Sequence, residues 1–233
     1  MKTLSLLAIA LVSLPGLLSA APAAAEQPVN VRAISFHQDF PAEIHAHDPT
    51  GSSTAGLIEV KSFLNHEPNT LKIKGNRLVF TRKSNPVSAT DVSELLGDVE
   101  LPAGSKSFIL VFLPDSVEPG NQHSRVIAID DSVKEFPAGS FKVANFSASP
   151  VKILLEKDTF EYAPGDVKVI DKPPFGENQA ASMEAYFKKD DEWKMISTGS
   201  WPNPGTRRVL QVFTENLATK EIELKGIRDV VVP

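Results

Sequence analysis

The sequence predicts an all-β protein, an antiparallel β-sandwich, and three observations carry that prediction. Short runs of alternating apolar and polar residues recur along the chain, and such alternation is typical of strands that bury one face. Pro, Gly, Asn and Asp, the residues that favour turns, separate these runs. Helical character is confined to residues 89–96, where Thr90 or Asp91 is a candidate N-cap and Glu94 follows. We therefore expect at most one short helix.

The predicted strands follow one another at short intervals. They are residues 29–36, 43–47, 57–63, 71–74, 77–80, 107–113, 126–129, 141–146, 151–155, 159–162, 167–170, 184–188, 193–197, 209–214 and 222–227. The run 107–113 is almost wholly apolar, which predicts a central strand covered on both faces. Gly75-Asn76 links two runs through two residues and predicts a tight hairpin, and the charged residues 189–192 predict a second hairpin.

The first 25 residues have the pattern of a secretory signal peptide. Lys2 precedes an apolar run at 4–14, Pro15-Gly16 breaks that run, and Ala23-Ala24-Ala25 forms an A-x-A cleavage pattern. The apolar run is shorter than the roughly 20 residues that a membrane span needs. We therefore expect cleavage near Ala25, with cleavage after Ala20 as the alternative. The mature protein is expected in the periplasm or outside the cell, without a membrane span.

The remaining length suits either one large sandwich or two domains. Residues 101–105 and 136–140 share a Pro-Ala-Gly-Ser turn before a strong strand, and a looser copy occurs at 162–166. This repetition favours two tandem sandwiches, an N-terminal domain at 26–131 and a C-terminal domain at 132–233. One continuous sandwich remains the alternative.

Turn residues in the segment 136–170 carry a resemblance. They are the Pro-Ala-Gly-Ser turn at 137–140, Asn145-Phe146-Ser147, Pro150-Val151 and Pro164-Gly165. On these residues the segment resembles repeats in uncharacterised exported bacterial β-sandwich families. The resemblance implies an immunoglobulin-like or cupredoxin-like sandwich. It brings no assigned activity, so it carries over no catalytic residue.

Composition excludes several classes of function. The chain has 24 Lys and Arg against 29 Asp and Glu, scattered along its length. It therefore lacks the basic stripe that a nucleic-acid backbone requires, and nucleic acid is not an expected partner. Cysteine is absent, which excludes thiolate chemistry, Cys-ligated zinc, a blue-copper site and a disulfide framework. We expect the fold to be stabilised by its core alone.

Histidine is the residue type that points to a metal. His37, His45 and His47 lie close together in the sequence, and two residues that are two apart on a strand project from one face. A hairpin after Pro41 is expected to bring His37 near the other two. Imidazole nitrogens suit Cu(II) or Zn, so these three histidines are a candidate metal site. The alternative is a solvated strand end.

The loop 199–205 is the second candidate site. It contains Trp201 between polar and turn-forming residues, and Arg207 and Arg208 follow it. A tryptophan can stack on a sugar ring while arginines bind its hydroxyls or a carboxylate, which predicts a ligand site at these three residues. The alternative is that Trp201 folds back over the edge of the sandwich. Trp193, which alternates with Met195, is predicted to lie in the core.

The chain contains no recognised catalytic motif. It lacks the G-x-S-x-G, H-E-x-x-H, P-loop and G-x-G-x-x-G patterns. Its acidic pairs at 130–131 and 190–191 fall in turns, where solvated carboxylates are expected. We therefore expect a protein that is not an enzyme and that acts by binding or as a structural component of the cell envelope. Its partner would be an envelope protein, recruited by strand addition or loop contacts, or a glycan. The alternatives are a Cu- or Zn-binding periplasmic protein and a carbohydrate-binding module.

Overall fold

The computed structural model, which describes residues 25–118 and 120–231, confirms the all-β class. The strands are β1 (Gln27–Ser35), β2 (Glu43–His47), β3 (Thr54–Lys61), β4 (Asn69–Ile73), β5 (Arg77–Thr81), β6 (Leu95–Glu100), β7 (Ser107–Pro114), β8 (Ser124–Asp130), β9 (Phe141–Asn145), β10 (Val151–Leu155), β11 (Asp158–Tyr162), β12 (Val167–Ile170), β13 (Ala180–Lys189), β14 (Glu192–Pro202), β15 (Arg207–Glu215) and β16 (Ile222–Val230). Apart from Ala25, the predicted signal peptide lies outside the described residues. None of the helical segments in the described ranges has the length and hydropathy to cross a membrane.

The predicted short helix is replaced by two 3-10 turns. They span Pro86–Thr90 and Val92–Glu94, and the rest of the predicted helix belongs to β6. Asp91 ends the first turn with extended backbone angles, and its side chain caps the second turn by accepting a hydrogen bond from the Ser93 amide. Since this aspartate caps a new turn instead of continuing the old one, a single helix cannot run through the segment.

The first eight strands form one sheet. Its order is β6-β5-β2-β3-β1-β7-β8, and β4 pairs with the first part of β1. The sheet curls until its two ends meet. The distance between β6 and β8 shows this, since a Cβ atom at Gly97 on β6 would lie 2.7 Å from the Ser124 carbonyl oxygen on β8. Gly97 also has φ +145, so this close approach requires a glycine. Nineteen buried apolar residues fill the interior of the curled sheet.

The hairpin predicted at Gly75-Asn76 is wrong. Gly75 does turn the chain with φ +75, but β4 pairs with β1, whereas β5 pairs with β2 and β6. The turn therefore carries the chain across the interior from one side of the curled sheet to the other. A positive φ at the turn is compatible with a β4–β5 hairpin and with the observed crossing. The crossing buries both Leu71 and Leu78 in the shared interior, and this burial decides between the two.

The last eight strands form two four-stranded sheets. Their orders are β11-β10-β13-β14 and β12-β9-β15-β16, and a second apolar core lies between them. The predicted hairpin at 189–192 is confirmed, with Lys189 opposite Glu192. Asp190 and Asp191 take φ values of 50 and 64, the two positive angles that a tight two-residue hairpin needs.

A third apolar core joins the two halves of the chain. Its members come from both halves and are Ile34, Leu64, Ile109, Val111, Leu113, Ile129, Phe136, Ala144, Phe146, Leu210 and Val212. The prediction for β7 is confirmed, because its inner residues are buried on both faces. Phe108 points into the first core and Ile109 into the third. The boundary at residue 131 and the tandem immunoglobulin-like architecture stay predictions.

Four charged side chains close a ring of ion pairs beside this third core. Arg32 on β1 lies 2.8 Å from Asp131 and 2.6 Å from Asp229 on β16. Arg208 on β15 bonds the same two carboxylates at 2.6 Å and 2.7 Å. Asp131 is 9% exposed and the other three residues are 1% exposed. Each buried charge therefore has opposite charges on both sides, which is the condition for tolerating such burial.

The ring contains two residues, Asp131 and Arg208, for which the sequence predicted other roles. Asp131 is not a solvated turn carboxylate, because the two arginines hold it under the interface between the halves. Arg208 was predicted as a ligand contact. Its guanidinium instead binds the two carboxylates of the ring and donates a hydrogen bond to the Phe136 carbonyl oxygen at 2.7 Å. It is therefore a structural residue in this fold.

Candidate functional site

A cavity of about 440 Å³ opens between β14 and the β15–β16 pair. Its lining is the set Phe141, Trp201, Pro202, Asn203, Pro204, Arg207, Val209, Gln211, Gly226 and Arg228. The predicted loop residue Trp201 and the predicted Arg207 thus lie in one site. Volumes of this order hold small ligands.

The register of β15 and β16 places three pairs of residues on the cavity side. Arg207 lies opposite Val230, Val209 opposite Arg228, and Gln211 opposite Gly226. Opposite residues of an antiparallel pair share a face, and successive residues alternate between faces. This alternation sends Arg208 to the ion-pair ring and Arg207 to the cavity, although the two are neighbours in the sequence.

Aromatic rings form the apolar wall of the cavity. Trp201 is only 6% exposed, and its ring lies 4.7 Å from that of Phe141 at a tilt of 40°. Both residues belong to the second core. At this burial the tryptophan leaves only a small part of its ring open to the cavity, and the predicted alternative, in which it folds back onto the sandwich, describes it better.

The Gln211 amide occupies the space that a side chain at residue 226 would need. A Cβ atom at Gly226 would lie 2.8 Å from the side-chain oxygen of Gln211. Gln211 is 5% exposed, and its amide lies on the cavity side at the level of this glycine. The absent side chain thus leaves the donor and acceptor of a buried amide within reach of a ligand.

Hydrogen bonds and prolines shape the mouth of the cavity. Asn203 accepts a hydrogen bond from the Gly205 amide at 2.9 Å and donates to Gln179 at 3.0 Å. Pro202 and Pro204 flank it and restrict its backbone. The loop is therefore held in place before any ligand arrives, which lowers the entropic cost of binding.

Trp193 lies outside the core, contrary to prediction. It sits half-buried on the outer face of its sheet, where the Lys152 ammonium lies 4.4 Å from its ring centre. The cause is a bulge in β14: Met195 pairs with Tyr186, but Ser197 pairs with Ala185. One extra residue reverses the alternation, so Trp193 and Trp201 project to opposite faces although their spacing is even.

The three predicted metal-binding histidines do not assemble. The rings of His45 and His47 lie 6.2 Å apart, whereas the His37 ring packs against Phe40 and its Nε2 lies 2.8 Å from the Ser124 hydroxyl. Among the described residues, no group of three His, Cys, Asp or Glu side chains is placed to hold a metal ion. The Cu or Zn site predicted from the spacing is therefore absent from the described part of the chain.

His47 is a structural residue. It is fully buried, and its Nε2 donates to the Lys83 carbonyl oxygen at 2.9 Å, while its Nδ1 lies 3.1 Å from the Thr54 hydroxyl. Burial lowers the pKa of the His47 imidazole below its usual value of 6.5. The neutral ring is thus part of a polar cluster that ties β2 to the chain after β5.

The buried imidazole predicts a stability that falls in mild acid. Below pH 6.5 the unfolded chain takes up a proton at His47 that the native state resists. Stability is therefore complete above that pH and falls as the pH drops towards the native pKa, by up to about 1.4 kcal/mol per pH unit. Urea unfolding at pH 7.5, 6 and 5 should show a weaker pH dependence for His47→Gln than for the wild type. His45→Gln, a change at the half-buried neighbour, is the control. If both variants weakened the pH dependence of stability equally, the assignment of that dependence to His47 would be contradicted.

Comparisons with known proteins assign no family. No protein-family model matches the chain, and no curated protein matches it. Among solved structures, one described as a putative cell adhesion protein from Parabacteroides distasonis ATCC 8503 aligns at 8% identity, covering 91% of this chain and 99% of that chain, with a TM-score of 0.16. A likeness at that level carries no argument about function. The findings agree with a resemblance limited to uncharacterised proteins.

Proposed function

We propose that the protein is an exported, non-catalytic binding protein of the cell envelope and that the cavity beside Trp201 holds the end of a carbohydrate chain. The observation that carries the proposal is the two-sided chemistry of the lining. Trp201, Phe141 and Val209 give an apolar wall, and the Gln211 amide and the arginines give hydrogen-bond donors. A sugar ring presents C–H faces and hydroxyl edges, so it matches both parts.

The lining also favours binding over catalysis. Among the described residues that border the cavity there is no carboxylate, histidine, serine or lysine. A general base or nucleophile is normally one of these groups or a cysteine, and the chain has no cysteine. The Ser124–His37 pair, at 2.8 Å, involves a serine that is 2% exposed and does not border this cavity.

A pair of glycine substitutions tests the proposal. Gly226→Val places a side chain where the Gln211 amide lies and so displaces that amide, and the backbone at residue 226 needs no positive φ. Gly199→Val is the matched control, because a Cβ atom at Gly199 meets nothing within 4 Å. On an array of neutral and acidic oligosaccharides, the wild type and Gly199→Val should bind a common set of glycans, and Gly226→Val should bind them at least tenfold more weakly. A blank array for the wild type, or equal binding by all three proteins, would overturn the proposal.

A further inference from the structure

We infer that the cavity selects an acidic sugar, whose carboxylate or sulfate group is held between Arg207 and Arg228. This inference rests on the proposed function and names the class of ligand. Both arginines border the cavity, and both side chains are exposed. They come from neighbouring strands, Arg207 from β15 and Arg228 from β16.

The strand register places the two arginines within reach of a common ligand. Val209, two residues after Arg207, lies opposite Arg228, so the arginines are diagonal neighbours on one face. Diagonal neighbours in a sheet lie about 7–8 Å apart, within reach of long side chains. Two positive groups can therefore close on one oxyanion from two directions.

No protein carboxylate neutralises this pair among the described residues. Arg32, Arg77 and Arg208 each have an Asp oxygen within 2.8 Å, whereas no ion pair within the same ranges involves Arg207 or Arg228, and no Asp or Glu borders the cavity. Like charges at diagonal positions repel each other, so an anion that binds between them removes a repulsion as well as adding two attractions.

The chemistry of the site suits an oxyanion on a ring. A guanidinium presents paired N–H donors in a plane that matches two oxygens of a carboxylate or sulfate. The larger cavity beside Phe36 differs in this respect, because Asp115 and Glu223 border it together with Arg125 and Lys225, and the mixed signs give no preference for an anion.

The test uses an array of matched sugars: glucuronate and glucose, galacturonate and galactose, and sulfated and unsulfated forms of one oligosaccharide. The wild type should bind acidic members at least tenfold more strongly than their neutral partners, and the sulfated pair distinguishes sulfate from carboxylate. Arg207→Gln and Arg228→Gln should each lose about tenfold on the acidic members. Arg77→Gln, an exposed arginine on β5, is the control and should bind as the wild type does.

The outcomes separate the inference from the proposed function. If the wild type bound neutral and acidic sugars equally, and Arg207→Gln bound them as the wild type does, the inference would be overturned and the proposed function would remain. A blank array would overturn both. Urea unfolding checks that each variant is folded, and all three should be close to the wild type because exposed arginines and exposed ion pairs contribute little to stability.

Discussion

Asp229→Asn is expected to lower the free energy of unfolding by about 3–5 kcal/mol, because it breaks a buried ion-pair ring from one side. The Asp229 carboxylate accepts hydrogen bonds from Arg32 at 2.6 and 2.8 Å and from Arg208 at 2.7 Å. Asparagine keeps the size of the side chain and removes its charge. Two buried guanidinium groups would then share the single carboxylate of Asp131, and the uncompensated charge has no access to water.

An exposed ion pair provides the control for this prediction. Asp98 lies 2.8 Å from Arg77, but their side chains are 46% and 60% exposed. Asp98→Asn should therefore cost about 0–1 kcal/mol. Equilibrium unfolding in urea, followed by far-UV circular dichroism, measures both variants. Comparable losses in the two would show that the ring is no more important to stability than a surface pair.

Trp201→Ala is expected to destabilise the protein by about 3–5 kcal/mol, the usual cost of removing a large aromatic side chain from a core. The tryptophan is 6% exposed and packs on Phe141 in the second core. Loss of carbohydrate binding by this variant would therefore not identify a ligand contact, because the cavity wall itself would be lost. The glycine and arginine substitutions avoid this difficulty.

The second tryptophan of the chain is a matched control. Trp193 is half-buried on the outer face of the sheet, where the Lys152 ammonium lies 4.4 Å from its ring centre. Trp193→Ala should lose about 1 kcal/mol, the scale of an exposed cation–π contact. Unfolding should again be followed by far-UV circular dichroism, because each variant removes one of the two tryptophans on which a fluorescence signal would depend. A loss at Trp193 as large as that at Trp201 would contradict the bulge-based assignment of their faces.

Strand alternation predicted much of the fold. The apolar run of β7 indicated burial on both faces, and the charged turn of β13 and β14 indicated a hairpin, because in both cases the signal is local. The hairpin predicted at Gly75 was wrong, because the residues of a turn determine that the chain changes direction but not which strand the next strand pairs with. That partner is chosen by long-range burial, as in the pairing of β4 with β1.

The candidate site was predictable in part. Trp201 and Arg207 are close in the sequence, so the loop indicated them together, and alternation on β15 implies that Arg207 and Arg208 face opposite sides. The same alternation puts Gln211 on the Arg207 face, whereas Arg228 joins the site only through the register of β15 and β16, for which the sequence between those strands gives no single solution. Trp201 lies in the core and Trp193 on the outer face because of a one-residue bulge in β14, which the periodicity of the sequence does not reveal.

The ion-pair ring also has a consequence for the order of assembly. Its longest link joins Arg32 to Asp229, which are 197 residues apart in the chain, and the aspartate comes from the last strand, β16. Contacts so distant in sequence carry a large loop-closure entropy and form slowly. During synthesis the first half can pair its own strands, but Arg32 obtains its second carboxylate only when β16 arrives. The ring between the two halves is therefore completed only at the end of folding, when the last strand takes its place.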